Sequence, residues 1–104
     1  MSYYPNMTLD DVRRMIEPEK DALRAKGVSA LYVFGSVARG EAEPGSDVDF
    51  FFELAPGARF NLLDFVGVRD QLTDALGVGA DIHMRNALHW RIRDKVLSQA
   101  VQVF

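Results

Sequence analysis

Apolar and polar positions change rhythm several times along this chain, and each change predicts an element. From the N-terminal side, Leu9, Val12, Ile16 and Leu23 fall on one helical face. Thr8 is placed to cap the first turn, and Asp10 and Asp11 lie inside it. Pro18 disfavours helical geometry at Glu17, so this packing helix either kinks or restarts there, and Gly27 ends it. Ala30 to Phe34 is then apolar without alternation, the pattern of a strand buried on both faces. Ser36 to Arg39 suffices for one helical turn, and Glu41 to Ser46, with Pro44-Gly45, is a loop. Asp47 to Leu54 is a second strand, ended by Ala55-Pro56-Gly57. Leu62, Phe65, Val66, Leu72 and Leu76 form the stripe of a helix that stops near Gly77 and Gly79.

Ala80 to Met84 is a third, short strand. Leu88, Ile92 and Val96 mark the core face of a last helix, which leaves Trp90 and Leu97 on another face, either as an interface anchor or tucked under the apolar tail, Val101 to Phe104. Met1 to Met7 reads as an arm with little structure of its own. The resulting order, α-β-(short α)-β-α-β-α, predicts an α/β (α+β) fold: a mixed three-stranded sheet with flanking helices. The second and third strands, joined through a helix, are expected to be parallel, and the first and second, joined by a compact excursion, antiparallel.

Composition narrows the picture. The chain has 104 residues, enough for one domain with a real core, and no room for a separate substrate domain. A net charge of −3 argues against a general nucleic-acid binder, because phosphate backbones are held by a cationic excess. With no Cys, disulfides and thiolate metal sites are excluded. No apolar run reaches membrane-spanning length and the first residues lack a signal peptide's apolar segment, so the expectation is a cytoplasmic protein without a membrane role.

The candidate chemistry lies between Leu31 and Glu53, in LYVFGSVARGEAEPGSDVDFFFE. Alternate residues of a strand share a face, so Asp47 and Asp49 should point the same way with their carboxylates close together. Two adjacent anions at a strand end suit a hard divalent cation such as Mg²⁺, which takes carboxylate oxygens and completes its shell with phosphates. Asp81, on the neighbouring strand and on the same face as His83, supplies a third carboxylate, and three across two strands can hold two metals. Gly35 lets backbone approach a ligand closely, and Ser36 and Arg39 can reach anionic oxygens. Each piece also has an ordinary reading. Asp-x-Asp after a turn is common loop chemistry, Ser46 can simply cap the loop, and Arg39 can pair with Glu41 or Glu43. His83 can be structural, and Asp74 competes with Asp81 as third carboxylate.

Gly35-Ser36, ten residues, then Asp47-x-Asp49 resembles the signature of the DNA polymerase β-type nucleotidyltransferase superfamily. The fuller string, FGSVARGEAEPGSDVDF, is similar to its minimal nucleotidyltransferases (MNT), small proteins often found as the antitoxin of a HEPN–MNT pair. The resemblance spans nearly the whole chain, taken as a single domain of residues 1–104. It implies that Asp47 and Asp49 bind the metals, that Asp81 completes the site, and that Ser36 contacts a triphosphate. Gly35, Arg39 and Ser46 complete the candidate nucleotide-binding set.

The implied activity is transfer of AMP from ATP, with Mg²⁺ (two ions), to a hydroxyl. The absence of a substrate domain implies that the acceptor site is shared with another molecule, as a homo- or hetero-oligomer. For the antitoxin branch the acceptor is a tyrosine of a partner HEPN toxin. The toxin's own Arg-x4–6-His motif is not met here, since Arg85 and His89 have only three residues between them. Two rival readings stand beside this one: a non-catalytic antitoxin that masks its partner, and a small-molecule nucleotidyltransferase working as a homodimer.

Overall fold

A computed structural model describes residues 6–104. Of the expected N-terminal arm, Met1 to Pro5 lie outside the described residues. The chain then runs through α1 (Leu9–Ile16), a 3₁₀ turn (Glu17–Glu19), α2 (Lys20–Ala25), β1 (Val28–Phe34), α3 (Gly35–Ala38) and β2 (Val48–Leu54). It continues through α4 (Leu62–Leu76), β3 (Ala80–Met84), a second 3₁₀ turn (Arg85–Ala87), α5 (Trp90–Gln99) and β4 (Val101–Gln102).

Local chemistry explains the boundaries. Thr8 caps α1 through a reciprocal box: its hydroxyl accepts from the Asp11 amide at 3.1 Å, and the Asp11 carboxylate accepts from the Thr8 amide at 3.0 Å. Those bonds hold the Asp11 carboxyl below its ordinary pKa, with Arg14 adding to the effect. Pro18 converts the expected kink into a 3₁₀ turn between two short helices. Asn61 and Asp64 form a second capping box at the start of α4, and Gly77 ends that helix in the left-handed conformation, φ +74°.

The sheet has the order β3-β2-β1-β4. As expected, β1 and β2 are antiparallel and β2 and β3 parallel. The expectation of three strands is corrected to four. Val101 and Gln102 pair antiparallel with Val33 and Tyr32, and Leu31 exchanges backbone bonds with Val103 (2.8 Å) and Phe104 (3.0 Å). The apolar tail thus covers the outer edge of β1, where it buries side chains and satisfies backbone groups together.

One face of the sheet, with Leu31, Val33, Phe50 and Phe52, packs against Val12, Ile16, Leu23, Val68 and Leu72 of the helices. The other face, with Phe51, Tyr32 and Phe34, is covered by Leu88 and by Val96 and Leu97 of α5. The Phe50–Phe52 run therefore feeds both layers, which is why it shows no alternation. Two expected stripes need correction. Leu88 precedes α5 rather than lying on it, and Ile92 is 49 % exposed, so neither continues Val96 as a helical core face. In α4 the buried positions are Val68, Leu72 and Leu76, whereas Leu62 at the capped first turn is exposed together with Leu63. Among the described residues, no helix is long and apolar enough to cross a membrane.

Candidate active site

The last residue of β1, Phe34, faces Asp49 across the antiparallel ladder, and Asp49 faces Asp81 across the parallel one. These registers bring the end of β1 and the starts of β2 and β3 to one end of the sheet. Immediately after Phe34, Gly35 takes φ +72° and opens α3. Its missing side chain is needed twice: for the left-handed backbone, and because a β-carbon there would overlap the Asp49 carboxylate. The α3 turn is drawn back onto itself by bonds from the Arg39 amide to the Gly35 carbonyl (3.1 Å) and from the Glu41 amide to the Ser36 carbonyl (2.8 Å).

Asp47 lies just before β2 rather than inside it, and it is exposed. Its carboxylate leans over Gly79, where a β-carbon would again collide with it, and the Val48 amide donates to the Gly79 carbonyl at 2.9 Å. Gly79 reads from the sequence only as part of a helix stop; that it also makes room for Asp47 becomes visible only once β3 is laid beside β2. Asp81 is exposed at the open edge of the sheet. Asp74, its competitor, is exposed on α4, away from the β2–β3 ladder.

Asp49 is the half-buried member of the set. Its carboxyl is pushed above the ordinary carboxylate range, first by loss of solvent and next by the negative charges of Asp81 and Asp47. His83 and Arg39 act in the opposite direction. His83 Nε2 stands 3.4 Å from Asp81 Oδ2, and its ring packs at a tilt on Phe34 with centroids 5.9 Å apart.

Arg39 makes the pair its sequence neighbourhood suggested: Nε donates to Glu41 at 3.0 Å, while its guanidinium also reaches Gln99 of α5 at 3.4 Å. Ser46 closes the preceding loop through its amide, which donates to the Glu43 carbonyl at 3.1 Å. It borders a cleft of about 650 Å³ whose walls include Met15, Pro44, Leu76 and Val78. The structure thus gathers Gly35, Asp47, Asp49 and Asp81 at one end of the sheet and sets Ser36 and Arg39 beside them on α3, with Ser46 flanking from the loop.

The donor set suits a hard cation in kind. Three carboxylates share one end of two paired strands, and one of them, Asp49, is partly desolvated and feels the negative charge of the other two. Among the described residues, however, no three His, Asp or Glu side chains converge tightly enough to hold an ion as they stand. Asp47, beside Gly79, and Asp81, at the sheet edge, are the two exposed members of the set.

Comparison with known proteins identifies the family. Residues 18–103 match the model of the nucleotidyltransferase domain family. The protein adenylyltransferase MntA of Thermococcus cleftensis is 36 % identical over 100 residues, covering 93 % of this chain and 97 % of that protein. A solved structure assigned as a minimal nucleotidyltransferase superposes with a TM-score of 0.76 at 36 % identity, over 91 % of this chain and 95 % of that one. A chain from the complex of a tri-AMPylated Shewanella oneidensis HEPN toxin with an MNT antitoxin gives a TM-score of 0.61 over 88 % of this chain and 71 % of its own. At 17 % identity that likeness is one of fold. The strand-end carboxylates, the glycine-backed turn and these matches together establish that the chain belongs to the nucleotidyltransferase domain family, in the minimal branch that includes protein adenylyltransferases.

Proposed function

We propose that this protein transfers AMP from ATP to a tyrosine hydroxyl of a partner HEPN-type toxin and thereby acts as its antitoxin. The observation that carries the reading is the juxtaposition of Asp47, Asp49 and Asp81 beside the Gly35–Ser36 turn in a chain of this family. A surface that only covers a partner has no use for three mutually repelling carboxylates, one of them half-buried. The AMPylated toxin in one structural neighbour supports the choice of acceptor class and nucleotide.

In this mechanism the α3 turn holds the polyphosphate: Gly35 lets it approach the backbone, and Ser36 and Arg39 donate to its oxygens. Asp47 and Asp49 would hold Mg²⁺, with Asp81 completing the set from β3. When bound, Mg²⁺ supplies positive charge against the phosphate oxygens and the departing pyrophosphate. Asp81 lies on the side from which the acceptor enters; it orients the tyrosine hydroxyl and takes up its proton. The hydroxyl oxygen forms a bond to the α-phosphorus, the bond from that phosphorus to the bridging oxygen breaks, and pyrophosphate leaves with the electron pair. The acceptor is brought by the partner. A cytoplasmic setting, where ATP and a toxin are both at hand, goes with this reading.

The test is a substoichiometric dose. A small amount of this protein with ATP and Mg²⁺ should inactivate an excess of partner, which should stay inactive after separation and gain one or more AMP units in intact mass. If the partner recovers fully on separation and its mass is unchanged, the protein neutralises by masking and the transfer site is idle.

A further inference from the structure

The three carboxylates are not equally supported. Asp49 is wedged against Gly35, and Asp47 rests on Gly79. Among the described residues, Asp81 sits on β3 at the edge of the sheet, with β2 on one side only, and it is exposed. What stands next to it is His83. The two residues alternate along β3, so they share the face that carries Asp49, and His83 lies in register with Phe51. The imidazole is held by its packing on Phe34, the residue paired with Asp49, and presents Nε2 to Asp81 Oδ2 at 3.4 Å. That is a close approach of the two side chains rather than a formed hydrogen bond.

We propose that His83 is a positioning residue: its Nε2–H donates to Asp81 and turns that carboxylate toward Asp49, completing the cation site from the sheet edge. The inference rests on the transferase reading of the site given above. It requires no charge on the ring, since a neutral imidazole protonated at Nε2 also donates. Nor does it make His83 a ligand, because Mg²⁺ takes oxygen in preference to nitrogen. A side chain that orients a metal-binding carboxylate in this way is worth an affinity change of about 10-fold or more when removed.

Two variants separate this role from simple packing. His83→Phe keeps a ring against Phe34 and loses the donor; His83→Gln keeps a donor and loses the ring. Binding of Mn²⁺ alone is followed by the electron paramagnetic resonance of the free ion, with melting temperatures recorded alongside to establish folding. Wild type and His83→Gln should bind similarly, and His83→Phe about 10-fold more weakly. Unchanged affinity in His83→Phe, or loss in His83→Gln with retention in His83→Phe, overturns the inference while leaving the transferase reading in place. A wild-type protein that binds no Mn²⁺ overturns both.

Discussion

The carboxylate of Asp49 occupies the space that a β-carbon on Gly35 would fill. One glycine thus sets both the turn that opens α3 and the position of the most buried acid in the site. Gly35→Ala should cost about 1–2 kcal/mol in backbone strain at φ +72° and, by displacing Asp49, remove transfer as well. Gly79→Ala is the instructive contrast. Gly79 has an ordinary φ, and its added methyl meets only the end of the exposed Asp47 side chain. Thermal denaturation should find Gly79→Ala near wild type, within about 0.5 kcal/mol, while its transfer rate falls sharply. Wild-type turnover in Gly79→Ala would show that the Asp47 position is not needed.

Asp47→Asn and Asp49→Asn should each lower transfer by at least about 100-fold with the fold intact, measured as AMP incorporation into the partner. Their stabilities should differ from each other with pH. The Asp49 carboxyl is raised in the folded protein, so as pH climbs the unfolded chain loses its proton first and the metal-free fold is weakened. Asp49→Asn removes that penalty. It should melt above wild type at neutral pH without metal, and the gain should vanish below the ordinary carboxylate range, where both forms are neutral. Saturating Mg²⁺ should raise the melting temperature of wild type more than that of Asp49→Asn.

Trp90 is 71 % exposed at the start of α5, with His89 stacked on it and the Arg91 guanidinium 5.3 Å from its ring centre. Leu97, expected to share a surface with it, instead packs partly buried against the Phe51 layer. Trp90→Ala should therefore leave stability within about 0.5 kcal/mol and weaken complex formation with the partner, whereas Leu97→Ala should mainly lower stability. Calorimetric titration of the partner with each variant checks the division; unchanged affinity in Trp90→Ala would remove it from the interface.

Deleting residues 101–104 should destabilise the domain by roughly 3 kcal/mol, because it exposes Val101, Val103 and Phe104 and unpairs the edge of β1. Urea denaturation measures this directly. A loss below about 1 kcal/mol would mean that the tail contributes little beyond its two-residue strand.

Much of the arrangement was legible because it depends on spacing within short stretches. Phe34, Gly35 and Ser36 mark a strand end running into a turn, and the unalternated run Ala30–Phe34 announces burial on both faces. The parallel and antiparallel pairings followed from the lengths of the connections. What escaped depends on neighbours distant in sequence. Val101–Gln102 carries no turn signal and becomes a strand only because Leu31 and Val33 offer an open edge. Ile92 has helical spacing from Leu88 and Val96, yet Leu88 belongs to the preceding turn, so the periodicity joined two different elements. Gly79 looks like punctuation until Asp47 is placed over it. Asp81 could be proposed from its strand, but only the β2–β3 register sets it opposite Asp49 rather than leaving Asp74 in contention.

The antiparallel pairing of β1 with β2 has a consequence for how the site is assembled. Phe34, Gly35, Asp47 and Asp49 are near neighbours along the chain, so their contacts close a short loop and carry a small entropic cost. Asp81 joins only after the whole of α4 has crossed the sheet and β3 has docked. Loop closure therefore favours the contacts among Gly35, Asp47 and Asp49 over the docking of Asp81 as the first part of the site to form. Residues 28–54 thus form a contiguous unit that carries the turn and two of the three acids, and the third arrives from a separate part of the chain.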